Sequence, residues 1–471
     1  MPILSRMCRF APATCFPRPV YILATLMVPA CAKTPPGSFA DAGSSPADSA
    51  PTLTGTVTVS TATRTPRPTS GLGTSYWSWS PSYGDPIAGT ESMVLPLGPT
   101  VMRIGGYNND ANSPDPFDHA QIDKAVAYAR AIAADPILQV PLLADTAGAA
   151  PTADTAATMV SYANVTMGYG IKYFSIGNEP DLYPDATGST KGIQGYTPAA
   201  FCASAQAYVA AMKAVDPTIR ILGPELSWKY QSGTNDWLTP MLQTCGTLFD
   251  VITVHRYPLD PSQSTVAQAS ADATALRGVI AHLRSIMESA GLGDKPLAIT
   301  DCNITWYGDP ATSTLPASPG TVPAGLWAAD TFGVSLETGL WASIFWSTRE
   351  GWTLGLFSAS GSLPTPAYYA FSLYAAHFGP TMVSVTGTPT GVRAYASRNV
   401  SDAGTQIIAI NWNDGAIALA IQLDQSGLPP PSVTLPALSM AAIEIPDNGT
   451  PAVWVYGKAQ YAANRPPEAL P

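Results

Sequence analysis

From Thr74 onward the chain alternates between short apolar runs and longer Ala-rich segments. The runs are Ser75–Trp79, Thr100–Gly105, Ile137–Ala144, Lys172–Gly177, Ile219–Gly223, Val251–His255, Pro296–Thr300 and Trp341–Trp346, most of them dominated by Val, Ile and Leu. Between them lie stretches of helical period such as Asp118–Ala134, Pro198–Val215, Val266–Ala290 and Ala324–Thr338. Strand and helix in alternation imply parallel strands joined by crossover helices. Such units repeated over roughly 280 residues predict a closed (β/α)8 TIM barrel, α/β in class, over residues 71–362. The alternative, an open doubly wound sheet, lacks the Gly-rich phosphate loop after the first strand.

After about Leu363 the period changes. Val383–Val385, Gly391–Ala396, Gln406–Asn411, Ala416–Leu423, Ser432–Leu435, Met440–Ile445 and Val453–Tyr456 are short alternating runs with turn residues between them. They predict a C-terminal antiparallel β-sandwich domain over residues 363–471. Residues 32–70 are Ala, Ser, Thr, Pro and Gly with few large apolar side chains, which predicts a disordered tether. A Thr/Val alternation from Thr54 to Ser60 is the one strand-like stretch within it.

The first 31 residues change the picture from fold to address. Arg6, Arg9 and Arg18 precede an apolar run from Val20 to Val28, followed by Pro29-Ala30-Cys31. That order of charge, apolar run and small residue predicts a bacterial export signal. The run is too short for a stable membrane span. Cys31 after a small residue also resembles a lipobox, so we expect an exported protein, secreted or lipid-anchored to the cell envelope through Cys31. The remaining cysteines are Cys202, Cys245 and Cys302. Export permits a disulfide, and we expect Cys202 with Cys245, although spacing alone does not fix a pairing.

Net charge is −10, with no cluster of Lys and Arg, which argues against a nucleic-acid partner. The four histidines show no metal-ligand spacing with cysteine, so neither a metal nor another cofactor is expected. The 11 Trp and 20 Tyr would suit a carbohydrate partner, since flat aromatic faces hold sugar rings.

In a parallel barrel the site lies at the carboxyl ends of the strands. Polar and aromatic residues gather there in chain order: Trp77 and Trp79; Arg103; Asp145; Asn178 and Glu179; Glu225 and Trp228; His255 and Tyr257; Asp301 and Asn303; Trp346 and Glu350. Cleavage of a glycosidic bond needs such a set. One carboxyl protonates the leaving oxygen, a second attacks or activates water, and aromatics hold the rings.

Ile176-Gly177-Asn178-Glu179-Pro180-Asp181 resembles the Asn-Glu signature of clan A retaining glycoside hydrolases, and Met102-Arg103-Ile104-Gly105-Gly106 is similar to the family 79 group of heparanase and β-glucuronidase relatives. The resemblance spans about Thr74 to Tyr456. It implies Glu179 as acid/base and Asn178 as a ligand of the sugar 2-hydroxyl. It implies a nucleophile at the end of the seventh strand, Tyr257 against that nucleophile, and Trp346 as a sugar platform. Relatives carry Thr-Glu-x-Asn at the seventh strand, where this chain has Thr300-Asp301-Cys302-Asn303. Asp301 is one methylene shorter, which leaves three readings: a nucleophile on a shifted backbone, a base for water in an inverting reaction, or an impaired site in a carbohydrate-binding surface lipoprotein. Arg103 would orient a carboxylate, either the nucleophile or a uronic-acid substrate. His255, Trp77, Trp79, Asp145, Glu225 and Trp228 complete the expected substrate pocket, and Cys302 should point outward into the helix layer.

Overall fold

The computed structural model describes residues 53–76, 87, 89–111, 119–143, 150–186, 192–230, 235–308, 315–350, 353–358, 363–424, 430–447 and 449–470. The export segment with Cys31, the residues before Leu53, and three expected pocket residues (Trp77, Trp79 and Asp145) lie outside them.

A first strand, β1 (Leu53–Pro66), precedes eight strands that close into a barrel: β2 (Leu72–Tyr76), β3 (Val101–Ile104), β4 (Asp135–Val140), β5 (Tyr173–Ile176), β6 (Arg220–Leu226), β7 (Val251–Arg256), β8 (Leu297–Cys302) and β9 (Ser343–Phe345). Each pairs in parallel with the next, and β9 returns to β2. Val101, Ile137, Leu222, Val251, Ala298, Ala342 and Ile344 fill the barrel interior near the strand starts. The inward positions at the other end are left to the polar residues of the site.

The α-helices among the described residues are α1 (Glu91–Val94), α2 (Tyr107–Ala111), α3 (His119–Ala131), α4 (Ala153–Val160), α5 (Pro198–Val215), α6 (Leu238–Cys245), α7 (Val266–Ser289), α8 (Val322–Glu337), α9 (Pro366–His377) and α10 (Lys458–Ala462). Local chemistry starts the long ones. The Thr197 side chain accepts from the Ala200 amide at the head of α5, and Thr265 and Gln268 form a reciprocal capping box on α7. Cys202 on α5 is bonded to Cys245 on α6, as expected. The bridge closes a segment of sequence separation 43, a loop for which the chain-entropy model gives roughly 4 kcal/mol of stabilisation. Cys302 is buried in the layer between barrel and helices, and burial pushes its thiol up to about 12.

The remaining strands are β10 (Thr381–Thr386), β11 (Val392–Arg398), β12 (Gly404–Asn411), β13 (Ile417–Leu423), β14 (Ser432–Leu435), β15 (Ser439–Pro446), β16 (Ala452–Gly457) and β17 (Glu468–Ala469). With β1 they form a nine-stranded, mostly antiparallel sheet in the order β14-β13-β1-β10-β11-β12-β15-β16-β17. The expected tether is corrected over its described part only. Residues 53–66 are a strand inside the sheet, antiparallel to β10 and parallel to β13. Composition misled because a strand between two neighbours needs only one apolar face. Val57 and Val59, both 0% exposed, supply it.

The domain boundary also moves. Helix α9 falls after residue 362 and packs on α8 and on sheet strands β12 and β15. Alternation along β12 sends Ile407 and Ala409 into the sheet's own core and Ile408 and Ile410 into the core shared with the barrel. Asp330 on α8 is buried there and accepts from Tyr395 Oη (2.5 Å) and Trp412 Nε1 (2.8 Å). Burial pushes its carboxyl above the ordinary range.

Candidate active site

The site is assembled where β3 to β9 end. Arg103, at the end of β3, is wholly enclosed. Its Nη1 donates to Asp301 Oδ2 (3.1 Å), and its Nη2 donates to Asn178 Oδ1 (2.8 Å) and Gln139 Oε1 (3.2 Å). Of the two carboxylates expected for this guanidinium, the structure puts Asp301 against it. The Arg103 contact also fixes which end of the Asn178 amide is the acceptor. A buried, multiply bonded arginine of this kind costs about 3–5 kcal/mol to break, because the partner charge is left stranded.

The Gly-Gly after Arg103 reflects close packing. Gly106 has φ +118, and a Cβ on it would meet the Trp346 ring at 2.7 Å. Trp346, at the end of β9, is itself nearly buried and donates through Nε1 to Glu350 Oε2 (3.2 Å). Burial pushes the Glu350 carboxyl up to about 7.

Gly177 after β5 turns the chain at φ +69, with Leu142 packed where its side chain would be. Asn178 and Glu179 follow. The buried Asp110 carboxylate anchors this turn by accepting from the amides of Asn178 (3.2 Å) and Leu142 (2.6 Å) and from the Tyr183 hydroxyl. Glu179 sits in the left-handed region at φ 51, and its side chain is 20% exposed, open to the mouth of the barrel.

On the opposite arc, β8 carries a bulge. Val254 of β7 pairs with Ile299, but the next residue, His255, pairs with Asp301. The extra residue is Thr300. Successive side chains that would otherwise face opposite ways both reach the polar centre: Thr300 Oγ1 donates to Glu225 Oε2 (2.5 Å), while Asp301 meets Arg103 and the Tyr257 hydroxyl. Burial pushes the Asp301 carboxyl up to about 6, with His255, Arg103 and Tyr257 drawing it down and Glu179 pushing it up. Tyr257 itself is raised well above the ordinary phenol range by burial and by the Asp301 charge, so it stays a donor.

Glu225 and His255, expected in the substrate pocket, are both 0% exposed and bonded to other residues of the site. Polarity at a strand end does not tell an inward side chain from one at the mouth. His255 bridges Glu179 and Glu225 with its two ring nitrogens. Trp228, on the loop after β6, is 45% exposed. Its amide and those of Ser227 and Lys229 bond to the buried Asp181 carboxylate, two residues beyond Glu179. Asn303, by contrast, is spent on the backbone, donating to the carbonyls of Trp346 and Leu354.

Several members were not foreseen. Gln139 stands as a polar residue within an apolar strand, a readable signal. Trp306 and Tyr307, on the loop after β8, are 54% and 38% exposed, and their place just beyond Asp301 was visible in the sequence. Asp110 and Asp181 act on loop amides; Asp110 leaves no motif, and Asp181 ends the run around Glu179, where its role as an anchor has no local signal.

No family model matches the chain, and no curated protein matches it in sequence. Solved structures do match in shape. A bifunctional glucanase-xylanase from a metagenome library superposes with a TM-score of 0.65 at 17% identity, over 84% of this chain and 99% of that one. A family 44 xyloglucanase from Paenibacillus polymyxa gives 0.62 at 14% identity, over 84% and 100%. An α-L-arabinofuranosidase from Thermotoga maritima gives 0.61 at 15% identity, over 85% and 99%. The chain thus shares with these glycoside hydrolases the whole fold, the eight-stranded parallel barrel with its appended, mostly antiparallel sheet.

Proposed function

We propose that the chain is a retaining glycoside hydrolase acting on O-glycosidic bonds of oligo- or polysaccharides, with Glu179 as acid/base and Asp301 as nucleophile. One observation carries the proposal. Two carboxylates at the mouth of one barrel are held by different donors: Asp301 by a guanidinium and a phenol, Glu179 by an imidazole. Unequal environments are what divide two carboxyls between two roles.

In the first step Glu179 gives a proton to the departing glycosidic oxygen while an Asp301 oxygen bonds to the anomeric carbon. In the second, Glu179 takes a proton from water, the water oxygen attacks that carbon, and the bond to Asp301 breaks. Above about pH 6 Asp301 is charged and able to attack. The bulge at Thr300 supports attack by the shorter side chain, because it re-aims the backbone where a methylene is missing. The exposed rings of Trp228, on the loop after β6, and of Trp306 and Tyr307, on the loop after β8, suit sugar stacking. Wholly buried, Arg103 favours the nucleophile over a uronic acid as its partner.

The reading is tested with the full chain on aryl glycosides and oligosaccharides of glucose, xylose and arabinose, beside Glu179→Gln and Asp301→Asn. Each substitution should lower kcat/KM by about 1,000-fold or more on substrates that need both carboxyls. Wild-type rates no higher than those of Glu179→Gln on every substrate would instead favour a sugar-binding protein.

A further inference from the structure

His255 has no solvent exposure, and each ring nitrogen meets a carboxylate. Nδ1 lies 2.9 Å from Glu179 Oε1 and Nε2 lies 2.8 Å from Glu225 Oε2. The two carboxylates come from adjacent strand ends, both on backbone of left-handed conformation, at φ 51 for Glu179 and φ 57 for Glu225. Such backbone is unfavourable at a non-glycine residue and persists where surrounding contacts impose it. Here the strand ends are tied together, the Glu179 amide donating to the Glu225 carbonyl (2.9 Å). Tyr230 Oη holds the His255 carbonyl from the other side (3.1 Å).

The hydrogen-bond roles follow from which groups accept. Glu225 is fully buried, yet it stays below the ordinary carboxylate range. Burial alone would raise it, but Arg103 (Nε at 3.7 Å), the His255 contact and the Thr300 hydroxyl outweigh that effect. An ionised carboxylate only accepts, so the proton on this side sits on His255 Nε2. In a neutral ring Nδ1 is then the acceptor, and its 2.9 Å contact with Glu179 must contain a proton, as Glu179 O–H to Nδ1 or as Nδ1–H to the Glu179 carboxylate. Both forms hold one proton and carry the same total charge. Around the ring stand the carboxyls of Glu179, Glu225 and Asp301 and the guanidinium of Arg103. Burial draws the imidazole down, but its bonds to Glu179 and Glu225 prevail and carry it up to about 9.

We propose that Glu225 is a positioning residue for the acid/base step: from inside the barrel it keeps a proton on His255 Nε2, so that the Glu179–His255 contact stores the proton that the departing glycosidic oxygen receives. The proposal rests on Glu179 being the acid/base. As the glycosidic bond breaks, its electron pair stays on the leaving oxygen, which takes the stored proton from Glu179, while Asp301 bonds to the anomeric carbon. The water that later releases the sugar returns one proton to the same contact. The arrangement follows the logic by which a third group orients a catalytic base.

Glu225→Gln keeps the shape and removes the charge. In the full chain, kcat/KM is compared for dinitrophenyl and phenyl glycosides of glucose, xylose and arabinose. Phenol leaves poorly and depends on acid assistance, so at pH 7 the phenyl substrates should lose about 100-fold, at least about tenfold more than the dinitrophenyl ones. The basic limb of the pH profile should move down by about one unit or more. Equal losses on both leaving groups, with an unmoved basic limb, would overturn this proposal alone; absence of wild-type turnover overturns the function on which it rests. A second measurement needs no substitution at Glu225. In 15N-histidine-labelled wild-type protein, with His255 signals assigned by their loss in His255→Asn, Nε2 should carry its proton throughout pH 6–8, and an unprotonated Nε2 refutes the proposal.

Discussion

Asp301 takes one bond from a permanent cation and one from a phenol, and both lower its proton affinity against the cost of burial. Removing either donor therefore raises a carboxyl already near 6, and in the mechanism proposed above the ionised form is the one that attacks. Tyr257→Phe and Arg103→Gln should each move the acid limb of kcat/KM upward by about one unit, with activity at pH 5.5 falling several-fold further than activity at pH 8. A pH profile with an unmoved acid limb would contradict the role given to these donors. Much of this was legible one residue at a time: Glu179, Asp301, Arg103 and Tyr257 were named from their strand ends and lie together. The burial of Glu225 was not legible in this way. Its left-handed backbone turns the carboxylate toward Arg103 and His255, and no local pattern announces such a turn.

Among the elements, the eight barrel strands could be read because a strand covered on both faces is a nearly continuous apolar run. The bulge in β8 could not, since an extra residue leaves the run of apolar letters unchanged while shifting the partner across the sheet. β1 failed for a different reason. It is far in sequence from β10 and β13, and its Thr/Val alternation, visible from Thr54 to Ser60, lies in a stretch whose Ala, Ser, Thr, Pro and Gly content reads as a tether. If it is structural, an acid on its inner face strands a charge in the sheet core. Val57→Asp should cost about 3 kcal/mol or more, read as a lower denaturant midpoint, whereas Thr56→Asp on the outward side should change it little. A tether would tolerate both equally.

For the molecule as a whole, the sheet is built onto the barrel rather than hung from it. Helix α8 is buried along nearly all its length between barrel and sheet, and Asp330 binds Tyr395 and Trp412 across that boundary. The β8 end that carries Asp301 therefore belongs to a braced body, which suits a reaction demanding carboxyls about 5–5.5 Å apart for attack with retention. Retention is the central claim, because it requires both Glu179 and Asp301 in the roles assigned. It is read most directly by 1H NMR of the sugar first released from an aryl glycoside, before mutarotation. We predict that the first hemiacetal has the anomeric configuration of the substrate. Appearance of the opposite anomer first would contradict the account and make Asp301 a base for water instead of the nucleophile.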